Sequence, residues 1–311
     1  MKRVLVTGAT GFIGRHSLAN LVARGYEVHG LSSQSRAPTQ IIKENEVRWH
    51  NLNLLNLAEL PLLVEAIRPT HLLHFAWNTQ PGKYWTAPDN LTWVQASIEL
   101  IKCFAESGGR RAVIAGTCAE YDWDYGFCVE LQTPLLPTTL YGASKHALQI
   151  LAQAYAEQID LSLAWGRIFF VYGPHEHPRR LVSSIIGGML QQKPTPCSLG
   201  NQIRDFLHVQ DVADAFVSLL DSDVAGPVNI ASGIPVSVRE IVSKISGYFN
   251  ADDLLQYGAI PTSANEPPLL VADVRRLHEE VGWRPRFDLD TGLAQTIAWW
   301  RAQTFPSPCV E

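Results

Sequence analysis

The chain has 311 residues and a formal net charge of -5, so it can hold a large core plus a second unit and has no net positive field for nucleic acid or an anionic membrane. Its 46% apolar and 18% charged residues exclude a disordered or fibrous chain. Cys103, Cys118, Cys128, Cys197 and Cys309 lack CxxC or Cys/His ligand spacing, which predicts reduced thiols and no structural metal.

In chain order, Arg3–Thr7, Glu27–Leu31, Val47–Trp49, His71–Phe75 and Arg111–Ala115 are short apolar runs that read as strands. Phe12–Arg24, Leu57–Ile67 and Leu91–Ser107 lie between them with apolar residues at helical spacing. This alternation predicts a parallel sheet covered on both faces, the doubly wound α/β class. A longer helix follows from Tyr141 to about Gln158, then Leu161–Phe170 as another buried strand. Beyond Gly173, helices near Arg180–Gln192, Val209–Leu220 and Val236–Tyr248 sit among Pro- and Gly-punctuated segments and predict a smaller α+β unit. The expected division is 1–172 and 173–311, interleaved, with parts of 205–232 returning to the first unit. Gly8, Thr10 and Gly11 interrupt the apolar run behind the basic start, and no run reaches the roughly 18 apolar residues of a spanning helix. The expectation is a cytoplasmic protein with no membrane or nucleic-acid partner.

The segment Val4 to Gly14 places a strand, a glycine turn and a helix start in immediate succession. Gly8 permits the tight turn, Gly11 lets backbone approach a pyrophosphate, and Gly14 lets helix and strand pack closely. With Thr10, Phe12 and Ile13 they form a candidate dinucleotide-binding turn, since the helix N-terminus offers unpaired N–H groups to an anion. The spacing is GxxGxxG. After the second strand, Leu31 to Arg36 contains no carboxylate for a ribose 2'-hydroxyl. Ser32, Ser33 and Arg36 suit a 2'-phosphate instead, which favours NADP(H) over NAD(H), although the turn accepts either; the alternative for Arg36 is a side chain in water.

Tyr141 and Lys145 stand four residues apart on one face of a helix. The ammonium is expected to favour the phenolate and lower the tyrosine pKa, giving a proton donor and acceptor near neutral pH, while Lys145 also holds the nicotinamide ribose. Thr117 follows the strand Ala112–Ala115 at the carboxyl end of the sheet, where a hydroxyl can orient a substrate oxygen; a turn or helix-cap role is the alternative.

These motifs, with Tyr121 four residues past Thr117, Tyr172-Gly173-Pro174, Arg204 to Val209 and Gly282-Trp283-Arg284-Pro285, resemble the extended short-chain dehydrogenase/reductase family from Met1 to about Arg301. Those enzymes are mostly nucleotide-sugar epimerases, dehydratases and ketoreductases. The resemblance implies a Rossmann-type domain, a smaller C-terminal substrate domain and a nucleotide-diphosphate sugar in the cleft between them. It makes Tyr141 the acid/base, Lys145 its partner and Thr117 the orienting hydroxyl. It sets Asn53 and Leu54 near the adenine, Phe75-Ala76-Trp77 along the cofactor, Cys118 on the substrate side and Arg204 against the diphosphate, with an ion pair to a neighbour such as Asp205 as the alternative for Arg204.

Departures from the family narrow the reaction. Cys118 and Ala119 stand where its 4,6-dehydratases carry an Asp-Glu pair, which argues against dehydration. Its 3,5-epimerising reductases carry their cysteine one position further on, at Ala119 here, so the Cys118 thiol reads as structural. Phe170 replaces an Asn common in the 4-epimerases, and Ala264 to Pro267 lacks a common arginine. Asn78–Asn90 and Tyr121–Glu130 are rich in aromatic and polar residues and read either as sugar-pocket segments or as packed surface loops. The expected reaction is NADPH-dependent reduction of a nucleotide-linked 4-keto-6-deoxy sugar. The alternatives are an NAD-dependent 4-epimerase and a non-catalytic NADP-binding regulator. A homodimer through Leu91–Ser107 and Leu148–Gln158 is expected, though the apolar faces of these helices suit ordinary core equally.

Overall fold

Along the first strand, β1 (Arg3–Thr7), Val4 and Val6 pack on one side and Leu5 on the other, so the sheet it belongs to is covered twice. The computed structural model describes residues 2–33, 46–262 and 266–303. Within them the chain continues through α1 (Gly14–Ala23), β2 (Glu27–Ser32), β3 (Val47–Asn51), α2 (Leu60–Ile67), β4 (His71–His74), α3 (Asp89–Glu106), β5 (Arg111–Thr117), β6 (Phe127–Cys128), α4 (Leu140–Gln158) and β7 (Ser162–Ile168). Next come β8 (Phe170–Tyr172), α5 (Leu181–Leu190), β9 (Thr195–Cys197), β10 (Ile203–His208), α6 (Val209–Asp221), β11 (Gly226–Ile230) and β12 (Pro235–Ser237). The described chain closes with α7 (Val238–Gly247), β13 (Leu255–Tyr257), β14 (Leu269–Ala272) and α8 (Leu289–Arg301).

Seven strands form one parallel sheet in the order β11-β7-β5-β4-β1-β2-β3. One face is packed by α1 and α6 around Leu18, Leu21 and Phe216, the other by α2, α3 and α4 around Val64, Phe104 and Leu148. The order in which strands are added reverses between β1 and β4, so the loops after these strands, Gly8 onward and Phe75 onward, border the crevice where open α/β sheets bind ligands. The fold is thus the Rossmann-like doubly wound sheet.

A second body is built from α5, α7 and α8 around Ile186, Ile241, Leu293 and Trp300, with a sheet in the order β12-β10-β14-β6 to which β8 adds beside β10. The apolar run read as one strand over 161–170 is two: β7 stays in the large sheet, paired with β5 and β11, whereas β8 pairs with β10. Pairing with β11 ends at Ile168 and Ile230, and Phe170 takes Phe206 as its new partner. The helix read from Val236 begins at Val238, because the Ser237 hydroxyl accepts the Glu240 N–H at 3.1 Å and fixes the helix start. Among the described residues no helix is long and apolar enough to cross a membrane.

Phe216 is fully buried on α6, with its ring 4.9 Å from that of Phe75 and against the backbone of Gly166, where an added Cβ would come within 2.6 Å of it. Phe216→Ala is expected to lower unfolding stability by about 3–5 kcal/mol in urea titration. A loss below about 1 kcal/mol would show that the layer closes around the missing ring.

Candidate active site

The glycine turn has the shape its sequence requires. Gly8 takes φ +67°, and a Cβ there would lie 2.8 Å from the Ala76 nitrogen, so the turn runs directly against the Phe75–Ala76 backbone. A Cβ at Gly14 would fall 2.2 Å from the Gly8 carbonyl oxygen, so only glycine lets α1 start this close to β1. Gly11 is exposed and donates to the Gly8 carbonyl at 2.9 Å, Ile13 is the N-cap residue, and no side chain caps the helix start. This cradle of bare backbone beside an uncapped helix N-terminus fits a dinucleotide pyrophosphate. Thr10 contributes its carbonyl to Arg15, at 2.9 Å, and Phe12 and Ile13 are half-buried at the mouth.

At the adenosine end, Ser32 closes β2 and is buried, Ser33 is exposed, and Arg36 lies outside the described residues. The Asn53 side-chain carbonyl accepts the Leu55 N–H at 3.1 Å and caps a turn, while the Leu54 side chain points into the core. Phe75 also packs on the core, and the Ala76 N–H donates to the Thr7 hydroxyl at 3.3 Å.

Thr117 ends β5 and begins a tight turn over Cys118–Glu120. Its hydroxyl accepts the Ala119 N–H at 3.2 Å, and its own N–H donates to Glu120 Oε1 at 2.8 Å, a reciprocal capping box. The same hydroxyl lies close enough to the Tyr141 phenol to lower its pKa. Tyr141 is the second residue of α4, whose N-cap Thr139 accepts the Gly142 N–H; the Tyr141 N–H goes to the Trp85 carbonyl at 3.1 Å. A Cβ at Gly142 would meet the Ala119 carbonyl at 2.3 Å, so glycine brings the helix onto the Thr117 turn.

One turn further, Lys145 is 3% exposed; its ammonium donates to the Ala115 carbonyl at 2.8 Å and sits 3.8 Å from the centre of the Trp77 ring. Burial pulls Lys145 down to about 7, opposed by the negative charge of Glu120. The expected depression of the tyrosine pKa is corrected here. Burial raises the Tyr141 phenol well above its ordinary value, the neighbouring Tyr84 adds to this, and the Thr117 hydrogen bond opposes it. Helical spacing brought phenol and ammonium to one face, but both are stripped of water, and each is pushed toward its neutral form.

Glu120, which the sequence reading passed over, carries this arrangement. It is fully buried and accepts from Arg167 Nε at 2.7 Å and from the Trp165 indole at 2.9 Å, besides the Thr117 N–H. Arg167 also donates to Gln149 Oε1 on α4 at 2.8 Å and to the Tyr121 hydroxyl at 3.1 Å. Its signal in the sequence was an arginine inside the apolar strand, since a buried charge must be paired. Tyr84 and Trp85 come from the segment 78–90 and Trp123 from 121–130, and all three rings gather at Tyr141 with Trp77 and Ala119.

Cys118 is buried and its thiol is raised by burial, so it is no ready thiolate. The expected diphosphate contact, Arg204, is 3% exposed and pairs with Glu266 Oε1 at 2.9 Å. The alternative partner, Asp205, instead accepts from Ser232, Gly233 and Ala272. Residues 263–265 lie outside the described residues. Cys103, Cys118, Cys128 and Cys197 are free and buried, and no group of His, Cys, Asp or Glu among the described residues is placed to hold a metal ion.

A parallel nucleotide-binding sheet with a glycine turn, a Thr–Tyr–Lys set and a second body over the crevice defines an oxidoreductase of the short-chain type. Residues 4–231 match the NAD dependent epimerase/dehydratase family, and the chain belongs to it. It is an NAD(P)-dependent enzyme of the extended short-chain dehydrogenase/reductase type, a family that works on nucleotide sugars. It is 27% identical over 315 residues to UDP-glucose 4-epimerase of Mycolicibacterium smegmatis, covering 96% of this chain and 98% of that one. It is 25% identical over 260 residues to dTDP-6-deoxy-L-talose 4-dehydrogenase (NAD(+)) of Aggregatibacter actinomycetemcomitans, covering 83% and 94%. The structure of MoeE5 in complex with UDP-glucose and NAD is similar with a TM-score of 0.81 at 29% identity, covering 96% of this chain and 99% of that one.

Glu120→Gln removes the charge that keeps Lys145 protonated. The alkaline limb of cofactor-linked turnover, where Lys145 loses its proton, is expected to move to lower pH, with stability reduced by about 3–5 kcal/mol because Arg167 is left uncompensated. A limb that stays in place in folded variant protein would reduce Glu120 to a brace.

Proposed function

We propose that the protein reduces the ketone of a nucleotide-linked 4-keto-6-deoxy sugar, with NADPH favoured as the reductant. The observation that carries this reading is the placement of Thr117, at the end of β5, with Tyr141 and Lys145, on the first turns of α4, all three buried. Burial favours the neutral phenol of Tyr141, the form that gives a proton to a carbonyl oxygen. When bound, the nicotinamide supplies hydride to the carbonyl carbon. Tyr141 protonates the carbonyl oxygen as the C–O double bond becomes an alcohol, Thr117 donates to the same oxygen, and Lys145 returns a proton toward the phenol. The net change consumes one ketone, one hydride and one proton and leaves one alcohol.

Elimination fits poorly. Cys118 and Ala119 carry no carboxylate, and the carboxylate that follows them, Glu120, is committed to Arg167, Trp165 and Thr117. The preference for NADPH rests on Ser32, Ser33 and Arg36 in place of a carboxylate after β2. A second reading, NAD-dependent 4-epimerisation of a nucleotide sugar, is favoured by the full-length similarity to the mycobacterial 4-epimerase. It uses the same three side chains, with Tyr141 first taking the hydroxyl proton. The non-catalytic alternative is disfavoured by the joint burial of Thr117, Tyr141 and Lys145.

The test follows nicotinamide absorbance while the protein is offered nucleotide-linked 4-keto-6-deoxy and 4-hydroxy sugars with NADPH, NADH or NAD+. Stoichiometric NADPH loss with the keto sugar is expected, and Tyr141→Phe should reduce it by roughly 10²–10⁴-fold. Interconversion of hydroxy sugars without net cofactor change would replace the reductase by the epimerase, and full turnover by Tyr141→Phe would sink both.

We infer a homodimer through α3 and α4. Its support is a row of apolar side chains left in solvent, Leu91 (61% exposed), Ile98 (37%), Ile150 (54%) and Leu151 (51%), on two helices that pack side by side. Ile98→Glu combined with Ile150→Glu is expected to halve the mass read by light scattering; a wild-type monomer would dispose of the dimer.

A further inference from the structure

The rings around Tyr141 are placed by specific bonds. Asn90, 1% exposed, accepts the Trp77 indole N–H at 2.8 Å and donates to the Tyr84 carbonyl at 2.7 Å, so the segment 77–90 is tied to the start of α3. Arg180 donates to the Thr79 carbonyl at 3.2 Å and holds the same segment from the second body. The Trp85 carbonyl takes the Tyr141 N–H, and the Trp85 ring lies 5.7 Å from the Tyr141 ring, nearly perpendicular to it. The Trp123 indole N–H donates to the Cys118 carbonyl at 3.0 Å, next to Thr117, and its ring stands 6.1 Å from Trp85. Both indoles are partly exposed.

Trp85 lies against the Tyr141 ring and Trp123 beside the Thr117 turn, so these two partly exposed rings flank the place where a substrate oxygen would meet both hydroxyls. With its N–H committed to Cys118, Trp123 presents only carbon and π surface. A hydroxyl pressed on the Trp123 ring loses water and gains no hydrogen bond from it, whereas a methyl group gains apolar contact. Building on the reductase reading, we propose that Trp85 and Trp123 are its specificity-determining residues and that they select a sugar whose carbon beside the reacting centre bears a methyl group instead of a hydroxymethyl group.

The test runs the reaction in the oxidative direction with NADP+ and, separately, NAD+, on two pairs of sugars that differ only in the C6 oxygen: dTDP-fucose with dTDP-galactose, and dTDP-6-deoxyglucose with dTDP-glucose. Wild type is expected to favour the 6-deoxy member of the pair it accepts by roughly 10- to 100-fold in kcat/KM. Trp85→Ala and Trp123→Ala should bring that ratio toward one by lowering turnover of the 6-deoxy sugar alone, and Trp85→Phe should restore the preference. Equal wild-type rates on the two members, or a ratio unchanged in both alanine variants, would overturn the inference and leave the oxidoreductase reading standing. The wild-type ratio decides even if an alanine variant fails to fold. Failure of every sugar to reduce either cofactor would instead remove the functional reading, and this inference with it.

Discussion

The ion pair between Glu120 and Arg167 joins three pieces of chain: the turn after β5, the strand β7 and, through Gln149, the helix α4. Taking each charge out of water costs several kcal/mol, and the pair persists because Glu120 also accepts from Trp165 and the Thr117 backbone while Arg167 also donates to Tyr121. Such a pair contributes little net stability, but it fixes geometry. Displacing the Thr117 turn from α4 would break several charge-assisted bonds between fully buried groups. Thr117, Tyr141 and Lys145 hold their mutual positions on that account.

The same dryness governs the acid–base groups. Lys145 would normally be a strongly hydrated cation, yet here its partners are one carbonyl and the face of Trp77. Its proton is therefore held loosely, while that of Tyr141 is held tightly. Burial thus favours the neutral form of both groups, and the Glu120 charge opposes this at Lys145.

Much of the large sheet was legible because alternating apolar runs and a glycine turn leave little freedom: β1 to β5 and α1 to α4 lie where their periodicity put them, to within a few residues. The split at Phe169 was not legible, since a run that is apolar throughout looks the same in either sheet and only its partners, β11 and β10, decide. At the site, the spacing of Tyr141 and Lys145 gave their common face but not their burial, and burial sets the direction of both pKa shifts. The partner of Arg204 lies far along the chain at Glu266, and that of Arg167 at Glu120; pattern reading has no access to pairings of this range.

The large sheet also takes a strand, β11, from the half of the chain that otherwise builds the second body, and the chain leaves and re-enters that sheet between β7 and β11. Neither body is a contiguous stretch of sequence. A gene fusion or recombination event therefore has no single junction at which to exchange one body and keep the other intact.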